Sequence, residues 1–175
     1  MATLTPIKDL QPQLNNVTIE GVIQNKSALS PMKRKGDWYF FYLQDGKGES
    51  IRVAAFGEPA TDTFQKITNG DTVRLTKMNI QENVYNSQRR LQAVMSKGSE
   101  VIIATKALQI QTKYTNIKDL SGKEDIVNVR GLVLNVRADT RMISSTNAIK
   151  DVCIVSIKDE TGSIDVTFWD HLQFA

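Results

Sequence analysis

Ile7-Lys8-Asp9-Leu10 recurs letter for letter as Ile117-Lys118-Asp119-Leu120. Each copy is followed, at the same distance, by an apolar alternation. The first reads Val17-Thr18-Ile19-Glu20-Gly21-Val22-Ile23 and the second Val127-Asn128-Val129-Arg130-Gly131-Leu132-Val133, so Gly21 answers Gly131. The echo continues with small slips in spacing. Leu43-Gln44-Asp45-Gly46-Lys47-Gly48 is matched by Ile157-Lys158-Asp159-Glu160-Thr161-Gly162, and Ile51–Phe56 by Ile164–Trp169. A repeat this long is not a solenoid period; it predicts a duplicated domain. The first copy continues well beyond Phe56, whereas few residues follow Trp169, so the second copy is expected to be incomplete.

Apolar residues at 41% and charged residues at 23% suit a globular chain with a packed core. There is no run of 18 apolar residues, so no membrane span is expected, and the first six residues do not read as a secretory signal. The single cysteine, Cys153, excludes an intrachain disulfide or a cysteine-built zinc site. It lies in an apolar stretch and reads as a core residue. The net charge of +3 says little, but its distribution says more. Lys33-Arg34-Lys35 and Arg89-Arg90 are local clusters in expected loops.

The periodicity predicts strands at Val17–Gln24, Trp38–Gln44 and Ile51–Phe56. A short helix within Glu58–Ile67 follows, with Pro59 suited to a first turn. Strands at Thr72–Gln81 and Leu91–Ser96 are joined by a polar loop, 82–90. Three strands, a helix and two strands, given Greek-key connections, make an OB-fold, an all-β five-stranded barrel with one short helix. The expected domains are an OB-fold at 1–110, a linker at 111–121 and an incomplete second OB-fold at 122–175. The second would hold three strands: Ile126–Val136, Val152–Lys158 and Ser163–Trp169. Val101–Thr105 extends the first barrel. The second half lacks closing strands, which leaves open edges and an uncovered apolar face.

Alternation along strands divides the faces. Ile51, Val53 and Ala55 suit a barrel interior, leaving Arg52, Ala54 and Phe56 outside. On the preceding strand Trp38, Phe40 and Tyr42 lie opposite Tyr39, Phe41 and Leu43. A barrel needs only one apolar face, so an outer face of rings beside an arginine calls for a purpose. Single-stranded nucleic acid supplies one, because bases stack on rings at roughly 1–3 kcal/mol each and cations neutralise phosphates. The rings of Trp38, Phe40 and Tyr42 either do this or pack beneath the N-terminal segment or the second copy. The candidate nucleic-acid-binding residues are Lys26, Lys33, Arg34, Lys35, Trp38, Phe40, Arg52, Phe56, Tyr85, Arg89, Arg90 and Trp169. Lys26 reads equally as a surface ion-pair partner. In the second copy Asp165 stands where Arg52 would be, and Arg130, Arg137 and Arg141 are the basic candidates.

Asn25-Lys26-Ser27, Ile51-Arg52-Val53-Ala54-Ala55-Phe56, Ala93-Val94, the linker Tyr114–Leu120 and Asp159-Glu160-Thr161-Gly162 leading to Phe168-Trp169 together carry a resemblance. The chain resembles the large subunit of replication protein A, over its first single-stranded-DNA-binding OB-fold and the first part of the next. Telomerase-associated and germline paralogues of that family share the pattern. The resemblance implies stacking by Phe56 and Trp169, and phosphate or base contacts from Arg52 and the loop after the first strand. It also places the family's second stacking aromatic at Leu91, a departure by which stacking there is either weaker or supplied by Tyr85. That loop is shorter than usual and carries the Lys33–Lys35 cluster. The implied partners are single-stranded DNA and other subunits or proteins of DNA metabolism; the implied location is the nucleus. The expected function is single-stranded DNA binding that is largely independent of sequence, in replication, repair or recombination. A telomeric G-strand preference and a protein-interaction OB-fold without nucleic-acid binding are the alternatives. No phosphate-binding glycine loop, metal-ligand spacing or nucleophile–base set is visible, and the one histidine is His171. An enzyme, a metal and a cofactor are therefore not expected.

Overall fold

A computed structural model of the chain describes residues 3–33, 36–85, 88–122, 126–143 and 148–169. Its contacts divide the chain into two units, Met1–Gln111 and Thr112–Ala175. The first contains β1 (Val17–Gln24), β2 (Ser30–Met32), β3 (Gly36–Gln44), β4 (Ser50–Phe56), α1 (Glu58–Phe64), β5 (Thr72–Tyr85), β6 (Gln88–Val94) and β7 (Glu100–Ile103). β1 pairs with β3 through Val22–Gln24 and with β5 through Val17–Val22. β3 and β4 are antiparallel, β4 and β6 parallel, and β6 and β5 antiparallel. The five strands β1-β3-β4-β6-β5 thus close on themselves, which is the OB-fold barrel.

β1 changes partner near Gly21, and the glycine is required there. A Cβ at this position would lie 2.5 Å from the carbonyl oxygen of Gln44. The matching Gly131 faces the same obstacle in the second unit, where a Cβ would meet the Lys158 carbonyl oxygen at 2.6 Å. The repeated glycine records one repeated close approach of two backbones.

The barrel interior is the set of inward alternates. Ile19, Ile23, Tyr39, Phe41, Leu43, Val53, Ala55, Val73, Leu75, Met78 and Ala93 are fully buried. α1 closes one end with Ala60, and Ile67 beyond it is also buried. The Tyr39 hydroxyl meets Thr63 Oγ1 at 2.6 Å, so this buried phenol is satisfied. Burial raises its pKa, and the Thr63 bond opposes the shift.

Three elements differ from the sequence expectation. The stretch expected as a loop before β3 contains β2, a short strand formed by backbone pairing with the start of β3. The expected loop at 82–90 is a continuation of β5 and β6, paired Glu82↔Leu91, Asn83↔Arg90 and Val84↔Arg89. Arg89 and Arg90 are therefore strand residues. β7 pairs with β5 and supplies the expected extension of the barrel.

The second unit contains β8 (Leu132–Ile143), β9 (Ala148–Lys158) and β10 (Ser163–Trp169) in one antiparallel sheet, ordered β10-β9-β8. β8 begins later and ends later than the expected 126–136. Among the described residues, 126–131 have no counterpart of the β5 strand that pairs with β1 in the first unit; they keep the bridge from Tyr114 to Asn128, which matches Leu4 to Thr18 in the first unit. Beyond residue 136, pairing with β9 runs out to Ile143↔Ala148. Val152, Ile154 and Val155 are buried, while Leu132 and Ile149 are 71% and 74% exposed.

Both copies of the repeated tetrapeptide start a 3-10 turn, Ile7–Asp9 and Ile117–Asp119. The second turn falls in the expected linker yet is fastened to the sheet. Asp159 Oδ2 accepts from the Ile117 amide at 2.8 Å, and Asp159 Oδ1 accepts from the Thr161 amide, the Thr161 hydroxyl and the Gly162 amide. The Thr161 hydroxyl foremost, then the Ile117 amide, hold this carboxyl down at about 2. Among the described residues no helix is long and apolar enough to cross a membrane.

Candidate nucleic-acid interface

β3, β4 and β6 lie side by side, and their registers set the outer face row by row. Trp38 stands opposite Phe56, Phe40 opposite Ala54, and Tyr42 opposite Arg52. Across the parallel seam Arg52 meets Gln92 and Ala54 meets Val94. Small Ala54 leaves room beside Phe40, and the rings form a continuous ladder. Trp38 and Phe56 are stacked with centroids 6.1 Å apart and 13° between planes. Trp38 and Phe40 are 5.9 Å apart, and Phe40 meets the Tyr42 ring edge-on at 6.2 Å. All four rings are only part-buried.

The Arg52 guanidinium carbon lies 4.2 Å from the Phe40 centroid, within cation–π range. Its Nε is shielded from solvent and has no hydrogen-bond partner among the described residues. Buried polar atoms without partners are uncommon in folded proteins. The guanidinium thus adds a positive charge to the outer face, beside the rings of the ladder.

The β2–β3 hairpin is fastened beside the Trp38–Phe56 pair. The Gly57 amide donates to the Asp37 carbonyl at 2.7 Å. Gly36, at φ +72°, leaves a gap that its Cβ would fill to 3.3 Å from Gly57 Cα. Ser30 pairs with Trp38 across the hairpin, and exposed Lys33 follows β2 in its turn. Arg34 and Lys35 lie outside the described residues, as does the side chain of Tyr85.

The structure separates the remaining candidates. Alternation puts Arg90, Gln92 and Val94 on the outer face of β6, and Arg89, Leu91 and Ala93 on the inner side. Leu91 packs against the barrel core, so the strand offers no ring at that point. Arg89 pairs with Glu82 at 3.4 Å. Lys26 is engaged at the end of α1, over Phe64, and not with the outer ring ladder. Its ammonium donates to the Phe64 and Ile67 carbonyls at 2.5 and 2.7 Å and lies 3.9 Å from the Phe64 centroid. It caps the end of α1. Its pKa is lowered by burial, against an opposing pull from Asp71.

In the second unit Trp169 ends β10, 49% exposed and opposite Val152. Asp165 is on the same face of that strand. It accepts from Arg137 at 3.2 Å and from Ser156 Oγ at 2.6 Å. A candidate cation is thereby engaged by the carboxylate that stands in place of Arg52. Arg130 lies over the Tyr114 ring at 5.1 Å.

Sequence reasoning missed Gln92 and Asn83. Gln92 is 7% exposed and accepts a hydrogen bond from Asn83 Nδ2 at 3.3 Å. The signal was available: Gln92 alternates with inward Ala93, so it had to face the groove.

Comparison with known proteins agrees with this geometry. Residues 17–76 match the OB-fold nucleic acid binding domain family. Along most of its length the chain is similar to large subunits of replication protein A. It is 25% identical over 178 residues to a probable replication factor A 73 kDa subunit of Caenorhabditis elegans, covering 94% of this chain and 27% of that protein. It is 24% identical over 179 residues to a replication protein A 70 kDa DNA-binding subunit of Arabidopsis thaliana, covering 95% and 23%. The chain thus spans about a quarter of the length of these curated relatives. Among solved structures, a replication protein A heterotrimer bound to single-stranded DNA matches with a TM-score of 0.56 at 16% identity, covering 94% of this chain and 41% of that one. The replication factor A related protein of Methanobacterium thermoautotrophicum matches with a TM-score of 0.50 at 18% identity, covering 59% and 92%. At these identities the structural matches speak to the fold.

Proposed function

We propose that this chain is a single-stranded DNA-binding protein that acts by binding alone and carries out no chemistry. The observation that carries the reading is the outer ladder of Trp38, Phe56, Phe40 and Tyr42 with Arg52 laid on Phe40. Every base has a π-face, so such a ladder accepts bases largely without regard to sequence. Arg52, Lys33 and Arg90 supply positive charge along it, and Arg34 and Lys35 extend the cluster in sequence. Trp169 offers a second stacking surface in the following unit. The relatives support DNA as the ligand: one is named a DNA-binding subunit, and the matched heterotrimer is bound to single-stranded DNA. By the same likeness, the chain works in the nucleus beside other subunits of its kind, in replication, repair or recombination.

The test is a competition between an oligo(dT) strand and a duplex of equal length, repeated at several salt concentrations. The single strand is expected to win. Its log affinity should fall against log salt by about 0.7 for each phosphate contact. Equal affinity for duplex, or no saturable binding, would leave the protein-interaction reading in its place.

A further inference from the structure

β1 and β8 are the matched first strands of the two units, yet their edges are treated differently. β1 ends at Gln24 with both edges taken. β3 pairs one edge through Val22–Gln24 and β5 the other through Val17–Val22. Where β5 stops, the turn before it takes over. The Ile23 amide donates to the Asp71 carbonyl and the Gly70 amide to the Ile23 carbonyl, both at 2.9 Å. β8 runs on from Val133, the match of Ile23, to Ile143. β9 occupies one edge over that length. The other edge has no backbone partner among the described residues, and 132–142 are all exposed.

A long strand edge with unused amides and carbonyls is a template for another strand, and proteins blunt such edges with proline, lysine or bulges. β8 contains neither proline nor lysine, and its bulge lies at the start, between Val133 and Asn135. From Asn135 onward its pairing is regular. Arg137, Asp139 and Arg141 fall at every second position, so they share a face and alternate in sign. An edge of one sign would repel a copy of itself; this one can match it.

Two antiparallel copies of one strand in a continuous sheet are related by a two-fold axis perpendicular to the sheet. Residues directly opposite then point to the same side, so the axis passes at a residue and not between two. An axis at Arg137 or Asp139 sets like charges opposite each other. Along β8 only Ala138 and Thr140 are centres that set opposite charges face to face. The axis at Thr140 pairs Asp139 with Arg141 of the copy but leaves 132–136 without partners. The axis at Ala138 pairs Arg137 with Asp139 of the copy twice over, Asn135 with Arg141 and Val136 with Thr140, and engages nearly the whole strand. Asp139 has no ion-pair partner among the described residues. Arg137 places one nitrogen on Asp165 at 3.2 Å, and a guanidinium has further donors to spare.

We propose that this chain pairs with a second copy of itself through the free edge of β8, antiparallel about Ala138, joining their three-stranded sheets into one. The proposal goes beyond the single-stranded DNA reading and does not depend on it.

The experiment measures molecular mass by light scattering over a concentration series of the full chain without DNA. The samples are the wild type, Arg137→Glu, Asp139→Arg and an equimolar mixture of the two variants. The wild-type mass is expected to climb from one chain toward two. In either variant alone like charges meet at both positions, and association should weaken about tenfold. In the mixture the two changed residues meet each other and the two unchanged ones do the same. Opposite charges return at both positions, so the mass should recover to the wild-type level. Variants that had failed to fold could not recover on mixing. A wild type with the mass of one chain at every concentration would overturn the proposal. So would association that neither variant weakens, or a loss in both that mixing does not restore. A loss in Asp139→Arg alone would move the axis to Thr140 and overturn the pairing about Ala138.

Discussion

Lys26 shows how little a residue type says before its partners are known. In sequence it is a cation just after a strand, close to a basic loop. In the fold its ammonium closes the end of α1 by donating to Phe64 and Ile67, while its own amide donates to Asn69 Oδ1 at 2.9 Å. Those partners lie roughly 40 residues downstream, beyond the reach of any local pattern. The account therefore predicts that Lys26→Met destabilises the barrel by about 1–2 kcal/mol, the scale of charge-assisted bonds to carbonyls, and leaves DNA affinity unchanged. Thermal melting beside an oligonucleotide titration separates the two. A stable variant with weakened binding would return Lys26 to the groove. By contrast, the faces of β3 and β4 were legible residue by residue. Tyr39, Phe41 and Leu43 are interior and Trp38, Phe40 and Tyr42 are not, because strand alternation is a local property. Gln92 was equally legible in direction, but its place beside Arg52 and its hydrogen bond from Asn83 come only from the folded register.

At the level of elements, legibility tracked apolar contrast. β3 buries alternate residues, β1 and β4 bury Thr18, Val22 and Ala54 on their other face as well, and the apolar runs of all three were read closely. The tips of β5 and β6 are polar on both sides, so no periodicity announced the ladder that joins them. β2 has no pattern of its own and exists by pairing with β3. The repeated tetrapeptide was visible as a repeat, but its attachment was not, because Asp159 lies some forty residues from Ile117. That attachment carries a pH signature. Asp159 in the fold holds its carboxyl at about 2 against an ordinary 3.8. A depressed carboxylate contributes stability that is present above its unfolded pKa and lost as pH falls through the folded one. Protection of the Ile117 and Gly162 amides against hydrogen exchange should therefore hold near 3.8 and be lost as pH falls through about 2. In Asp159→Ala it should be weak at every pH. Protection in the wild type that survives below about 2 would show that the turn is held by something other than this carboxylate.

For the molecule as a whole, the two copies share an entry turn and a close-packed glycine, but they do not share a groove. The first unit has a closed barrel, a ring ladder and a guanidinium without an acidic partner among the described residues. The second has Trp169, while its Arg137 is engaged by Asp165. Binding strength should therefore reside mainly in the first unit, and Trp169→Ala should cost less affinity than the matching change at Phe56. The central claim is that the Phe56–Trp38 stack is a platform for bases. The measurement that addresses it most directly is the affinity of Phe56→Ala for oligo(dT), taken beside its thermal melt. The account predicts a loss of about 1–3 kcal/mol of binding, the value of one stacked base, in a protein that still melts cooperatively. A folded Phe56→Ala that binds as tightly as the wild type would contradict it.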